Sequence, residues 1–365
     1  MKTISIRWVR RIRGGVRLLL VAAVLLGEPL APALAGEPDS LIQNALAFIR
    51  SRQNADGSFG NQTQPHLQTG LAMLALLSSQ AALSKEDAHC IEQAAAYLEK
   101  MAATSGDLGD REYVTESHAV ATLALLSAIE HLRAPELKLS VAAKVTRAVQ
   151  WLERIQDRGT APQIQGGWKM EGSEGRANDR RASAWALLAL YAARQAGWPV
   201  KEAGFNRGVQ YLLGSFKNPD AEARQVGGLS VDAEGMAVES ISAMGGWFLA
   251  RCQPGTERVE QNQQWLIRNP PGWTGPNYFS ANFFRIRALK FGDRSRQEYE
   301  RTRQRLRTQL ADHRRADGAV DLPPGNAQNT LDMGPVFSTS LAVLIVNVDE
   351  SRLSFDEDYR VTPLF

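Results

Sequence analysis

Leu41, Ala45 and Ile49 recur every four residues among polar neighbours, a spacing that predicts a helix over residues 40–53 with a single apolar stripe. Asn54-Ala55-Asp56-Gly57 then supplies turn chemistry. From Gln68 to Leu77 the chain is apolar on almost every side, which predicts a helix surrounded by protein. The same unit of striped helix, glycine turn and all-round apolar helix returns five more times. Residues 85–103 pair with Thr115 to Ile129, and the Val145, Ala148, Leu152, Ile155 stripe pairs with Ala182 to Ala193. Phe205 to Phe216 pairs with Met236 to Leu249. A weaker stripe from Val259 to Ile267 pairs with Tyr278 to Leu289, and residues 295–314 pair with Val336 to Val348. The expected turn glycines are Gly57, Gly109, Gly167, Gly228, Gly272 and Gly318, spaced 44 to 61 residues apart.

A period of that length holds two helices and their connections, with no strand-like alternation between them. The pattern therefore predicts an all-α fold. Alternating striped and all-round apolar helices imply two layers, and six hairpins closing on themselves make an α/α toroid of twelve helices with an outer and an inner ring. An open superhelix of stacked pairs is the competing arrangement, and the long, irregular period disfavours it.

Composition changes the reading mainly at the start of the chain. The 365 residues carry 42 Lys plus Arg against 39 Asp plus Glu. Lys2, Arg7, Arg10, Arg11, Arg13 and Arg17 all precede an apolar run from Leu18 to Leu26, and Ala33-Leu34-Ala35 follows as a small-x-small cleavage pattern. Residues 1–35 thus read as a secretory signal peptide. The alternative, an uncleaved membrane anchor, is disfavoured because the run is shorter than the ~20 residues that span a bilayer. Cleavage after Ala35 would remove six positive charges and one negative, leaving a net charge of −2 on 330 residues. That balance disfavours a general nucleic-acid binder. The expected location is exported, periplasmic or cell-envelope, with any membrane contact confined to an uncleaved leader. Residues 36–350 read as one toroid domain and 351–365 as a C-terminal tail, in which Asp356-Glu357-Asp358 reads as a solvated charge run. Cys90 and Cys252, the only cysteines, make neither a metal cage nor a disulfide framework; they are expected to be buried, with a single bridge left open as an option.

Gln53-Asn54-Ala55-Asp56-Gly57-Ser58-Phe59, Gly166-Gly167-Trp168 and Ala316-Asp317-Gly318 resemble the turns of the prenyltransferase and squalene-cyclase repeat. Ser117-His118-Ala119-Val120-Ala121 and Gly334-Pro335-Val336-Phe337 resemble inner-helix segments of exported bacterial members of that superfamily, which have no assigned reaction. The resemblance spans residues 40–350 and implies the toroid. Its catalytic signatures are missing. There is no Asp-x-Asp-Asp acid of the cyclases and no Cys-Gly-Glu-Gln thioester. Where a prenyltransferase would hold zinc through Asp-x-Cys, this chain reads Asp232-Ala233-Glu234, and Phe337 stands where the His ligand would be sought. Neither a metal nor another cofactor is expected.

Candidate chemistry then falls to the rim where the inner helices begin. That ring carries Gln64, His66, Gln68, Glu116, His118, Asn178, Asp179, Arg180, Asp232, Glu234, Tyr278, Asn282 and Asp332. His118 with Asp179 is the candidate catalytic pair, a general base oriented by a carboxylate. His66, Glu116, Asp232, Tyr278, Asn282 and Asp332 are the candidate ligand-binding residues. The competing roles are helix caps for Asp179, Asp232 and Asp332, and a satisfied core histidine for His118. Trp168, Trp185, Trp247 and Trp273 either line a cavity or pack between helices. Three functions follow: a toroid binding a hydrophobic or extended ligand (isoprenoid, lipid or glycan) in its central cavity, an enzyme acting on isoprenoid or polysaccharide, or a protein-interaction scaffold. A deep apolar funnel would favour isoprenoid, a polar groove with aromatics sugar, and a filled core a scaffold.

Overall fold

The computed structural model describes residues 40–356, except 80–82, 111–112, 160–164, 172–176, 219, 232–234, 276, 292–295 and 323–332. The expected leader therefore lies outside the described residues, as do Asp232, Glu234 and Asp332. Twelve α-helices are present among the described residues. Odd-numbered helices are the striped ones: α1 (Ser40–Ser51), α3 (Lys85–Met101), α5 (Pro135–Ile155), α7 (Glu202–Leu213), α9 (Glu257–Arg268) and α11 (Arg296–Asp312). Even-numbered helices are the all-round apolar ones: α2 (Pro65–Leu77), α4 (Val114–Ala128), α6 (Arg180–Gln195), α8 (Glu239–Cys252), α10 (Tyr278–Lys290) and α12 (Gly334–Val346). Each even helix packs on the next even one, and α12 packs back on α2, so the inner ring closes. The remaining regular structure is small: a 3₁₀ turn at Ile129–His131 and a two-residue antiparallel ribbon that places Trp168 opposite Asp179. No described helix is long and apolar enough to cross a membrane.

The turn glycines explain why the hairpins repeat. Gly57 has φ +91°, and a Cβ built on it would lie 2.5 Å from the Gln93 carbonyl oxygen on α3, the outer helix of the next hairpin. Only glycine accepts both that backbone region and that approach. The contact recurs at Gly106 on Arg147, Gly166 on Arg207, Gly227 on Gln261, and Gly318 on Asn44, the last bringing the sixth turn onto α1. Three positions differ from expectation: Gly106, Gly166 and Gly227 make this contact rather than Gly109, Gly167 and Gly228. Gly272 lacks a positive φ and would meet nothing, so the fifth hairpin breaks the rule.

Two residues beyond each such glycine, a backbone N–H donates to a side chain on the inner helix. Phe59 donates to Thr69 Oγ1 (2.9 Å), Trp168 to Ser183 Oγ (2.8 Å), Leu229 to Ser242 Oγ (2.8 Å) and Val320 to Thr339 Oγ1 (2.9 Å). In the second hairpin Leu108 N–H donates to His118 Nδ1 at 3.0 Å. These bonds fix a common register for the inner helices and satisfy buried turn donors.

The far end of the ring corrects the expected domain boundary. Leu353, Phe355 and Asp356 are buried, and Asp356 accepts two bonds from Arg287 of α10, Nε to Oδ1 at 2.6 Å and Nη2 to Oδ2 at 2.8 Å. Both side chains have no solvent exposure. Arg251 of α8 adds a bond to the Phe355 carbonyl. Leu353, Phe355 and Asp356 thus belong to the toroid core, and Asp356 is an ion-pair partner rather than part of a solvated run. Cys90 and Cys252 are both buried and unbridged, and burial pushes the Cys252 thiol up to about 12.

Candidate functional site at the mouth of the ring

The register separates residues that face neighbouring hairpins from those that face the ring interior. Two positions before the turn-bonding residue stand Leu67, Glu116, Arg181, Ser240 and Phe337; two positions after it stand Leu71, Val120, Trp185, Met244 and Leu341. Residues four apart share a helix face. Trp185 of α6 identifies that face as interior, because its ring stacks on Phe283 (5.2 Å) and meets Phe284 edge-on (5.1 Å), both on α10, two inner helices away. Leu71, Val120, Trp185, Met244, Phe284 and Leu341 are each at most 1 % exposed. These side chains therefore present almost no surface to water. Among the described residues no apolar funnel opens onto these side chains.

Above that floor lies a polar cluster. Arg181 Nη1 donates to Asn277 Oδ1 at 2.7 Å, joining the starts of α6 and α10, while its Nε is 3.9 Å from Asp179 Oδ1. Asn277 holds φ +61°, a left-handed conformation that asparagine tolerates better than most residues. Burial raises the Glu116 carboxyl above its ordinary value; Arg181 opposes the shift and the charge of Asp179 reinforces it. The Trp185 indole N–H points at the same carboxyl without closing a hydrogen bond of full geometry. Arg181 and Asp179 keep 28 % and 27 % of their side chains exposed, and Asn178, Asn277 and Trp273 are half-buried.

Among the expected site residues, Glu116 and Asp179 come together here. Asp179 also caps α6, accepting from Ala182 N–H at 2.8 Å, so the cap reading applies to it as well. His118 does not join them. Its Nδ1 accepts from Leu108, so the ring proton sits on Nε2, which lies 3.0 Å from the Ala148 carbonyl and donates to it. The ring is fully buried against Trp151 at 4.2 Å, and the carboxylate beside it is Asp107, 3.7 Å away. His118 is the second hairpin's counterpart of Thr69 and Ser183, and the expected base pairing with Asp179 is corrected to this structural role.

His66 likewise faces a neighbour rather than the interior. Asp110, from the second hairpin's turn, accepts from the N–H groups of His66 (3.2 Å) and Leu67 (3.0 Å), capping α2; His66 Nδ1 lies 3.1 Å from the same carboxylate, and the ring is 6.0 Å from Tyr97 of outer helix α3. Tyr278 gives its hydroxyl to Gln309 of α11 at 2.8 Å. Asn282 occupies the fifth hairpin's turn-bonding position; its Nδ2 donates to the Tyr278 carbonyl, and its Oδ1 meets no partner among the described residues. Arg181 and Asn277 were not singled out by sequence reasoning. The adjacent Arg-Arg and the Asn before an aromatic helix start were visible, but their meeting across the mouth was not.

No family model and no curated protein matches the chain. Solved structures do. A type II terpene cyclase from Scytonema aligns over 85 % of this chain and 97 % of its own, at 16 % identity and a TM-score of 0.54. An α-1,6-mannanase of Salegentibacter, solved with α-1,6-mannotetrose, aligns over 84 % and 97 % at 11 % identity and 0.57. The fold is an α/α toroid. An α-mannanase from Bacteroides thetaiotaomicron shares it, covering 86 % of this chain and 96 % of its own at 10 % identity and 0.56. At such identities the likeness extends to architecture alone, and the residues at the mouth must be read on their own chemistry.

Proposed function

We propose that this chain is an exported toroid that binds an extended, hydroxyl-rich ligand of glycan type across the mouth of its ring. The observation that carries the reading is the vertical order of the interior. Guanidinium, carboxylate and amide groups from Arg181, Asp179 and Asn277 are partly open to solvent, and the described apolar side chains at the level beneath them are buried. An isoprenoid would need a long apolar channel, and the burial of those six side chains favours the glycan over it. Sugar hydroxyls are matched by groups that both donate and accept, as the carboxylate, amide and guanidinium of this cluster together do. Neighbouring folds have been solved both with mannotetrose and with geranylgeranyl dihydroxybenzoate, so the preference for a glycan rests on the polar mouth of this chain. The scaffold reading lacks its apolar patch among the described residues, since exposed Met101, Leu139, Val231 and Met236 are spread over three hairpins.

The experiment is calorimetric titration of the purified protein with mannotetraose and with cell-wall oligosaccharides, alongside mass spectrometry of a lipid extract. Saturable glycan binding that falls at least tenfold in an Arg181→Ala, Asn277→Ala variant of unchanged melting temperature is expected. An enriched isoprenoid or phospholipid in the extract, with no glycan binding, would overturn the reading. Cell fractionation with an N-terminus at Gly36 is the expected result for export.

A second reading places acid catalysis on the same ligand, because burial holds Glu116 toward its protonated form beside a second carboxylate, Asp179. Glycoside cleavage needs such an unlike pair. Glu116→Gln should then abolish turnover while leaving binding in place.

A further inference from the structure

We propose a second binding site, at the seam where the first and last hairpins meet, for an anionic, hydroxyl-bearing small molecule: a sugar acid or sugar phosphate. A pocket of about 510 Å³ opens there between the first turn and α2 on one side and the sixth turn and α12 on the other. That volume suits a small organic molecule.

The charge of the wall is one-sided. Arg52 and Arg315 both line the pocket, and each is held from behind by one oxygen, Asp317 Oδ2, at 3.4 and 3.2 Å. Asp321 approaches Arg315 Nε only to 4.0 Å, and neither carboxylate lines the pocket. Both arginine side chains are about half exposed, at 49 % and 47 %, so most of their N–H groups remain available. Helix α12 starts in this wall with no side-chain cap, adding the positive end of its dipole.

The opposite wall is built from amides. Gln68 Nε2 donates to Asn61 Oδ1 at 2.6 Å, and Asn61 N–H donates to Gln68 Oε1 at 3.3 Å. Gly60 makes room for this pair, since a Cβ there would fall 1.9 Å from Gln68 Oε1. Two guanidiniums fit a carboxylate or phosphate, and the half-buried Gln53 and Asn54 of the same pocket, whose side-chain N–H groups donate to the first turn and to the Cys90 carbonyl, present amide oxygens that fit hydroxyls. None of these residues belongs to the Glu116–Arg181 cluster, so the site stands apart from the mouth reading.

The test is calorimetric titration of the purified protein with glucuronate, glucose 6-phosphate, glucose and inorganic phosphate. Saturable binding of glucuronate or glucose 6-phosphate, with glucose at least tenfold weaker, is expected. Arg52→Gln with Arg315→Gln should reduce that binding at least tenfold at unchanged melting temperature, and Arg52→Lys with Arg315→Lys should reduce it less. The Arg181→Ala, Asn277→Ala variant should bind as the parent does, which separates this site from the mouth. Equal binding of glucose, or affinity unchanged in the double Gln variant, would overturn the proposal. Inorganic phosphate binding as tightly as both sugars would overturn the sugar class.

Discussion

Asp356→Ala tests whether the end of the chain is part of the ring. The substitution leaves the Arg287 guanidinium with no exposure and no carboxylate, although the Phe283 ring, 3.9 Å from its centre, and a bond to the Phe283 carbonyl remain. Removing one member of a buried ion pair costs about 3–5 kcal/mol. At roughly 2 °C per kcal/mol for a domain of this size, the melting temperature should fall by roughly 6–10 °C. The assay is thermal unfolding followed by circular dichroism at neutral pH, with urea unfolding as an independent measure. Arg287→Met combined with Asp356→Leu removes both charges and should recover part of the loss, because an apolar pair avoids the desolvation cost. A loss below about 0.5 kcal/mol in Asp356→Ala, the range of ordinary surface substitutions, would refute the reasoning and return Leu353, Phe355 and Asp356 to a solvated tail.

Three further outcomes follow from the ring. His118→Ala strands the Leu108 N–H and the Ala148 carbonyl and should cost about 2 kcal/mol or more, whereas His118→Thr, which supplies the acceptor found at Thr69, should lose less; chemical denaturation measures both. Gly57→Ala should destabilise by about 1–3 kcal/mol through its positive φ and its contact with Gln93, while Gly272→Ala, with open space around it, should be near neutral in the same measurement. For Glu116 the folded carboxyl is raised above its ordinary 4.5, so the folded state binds more protons than the unfolded chain and stability falls as pH climbs from about 4.5 through the raised value. Glu116→Gln removes that penalty, so its melting temperature relative to the parent should rise between pH 4 and 8, and a pH-independent difference would contradict the burial argument.

Much of the architecture was legible because burial writes itself into periodicity. The run from Val336 to Val348 has no polar face, so it had to sit inside, and the Leu41, Ala45, Ile49 stripe had to lie on one surface of something larger. Turn positions were less legible. Gly106 and Gly109 flank the same Asp-Leu pair, and only contact with Arg147 of the next hairpin distinguishes them. The Arg287–Asp356 bond spans 69 residues and arises from how the ring closes, which no local pattern encodes. His118 looked reactive because histidine titrates near neutrality, yet its register places it among hydroxyls that serve turns. Glu116 looked like one rim carboxylate among several, and its unusual state comes from the walls around it.

The register also explains where function can reside in such a ring. A residue that bonds its neighbour's turn is committed to holding the ring together, as Thr69, His118, Ser183, Ser242 and Thr339 are. A residue two positions earlier faces the interior and is free to vary without breaking a seam. At that level the described residues are Leu67, Glu116, Arg181, Ser240, Ser280 and Phe337, so the charge lies on α4 and α6 alone. A ring built by repetition thus carries an asymmetric mouth, and the fifth hairpin departs from the pattern where Asn277 reaches Arg181. That departure ties the starts of α6 and α10 together over the packed floor. On the proposed glycan reading, replacing Arg181 or Asn277 should therefore weaken binding at the mouth while leaving the turn contacts that close the ring intact, so that titration changes and the melting temperature does not.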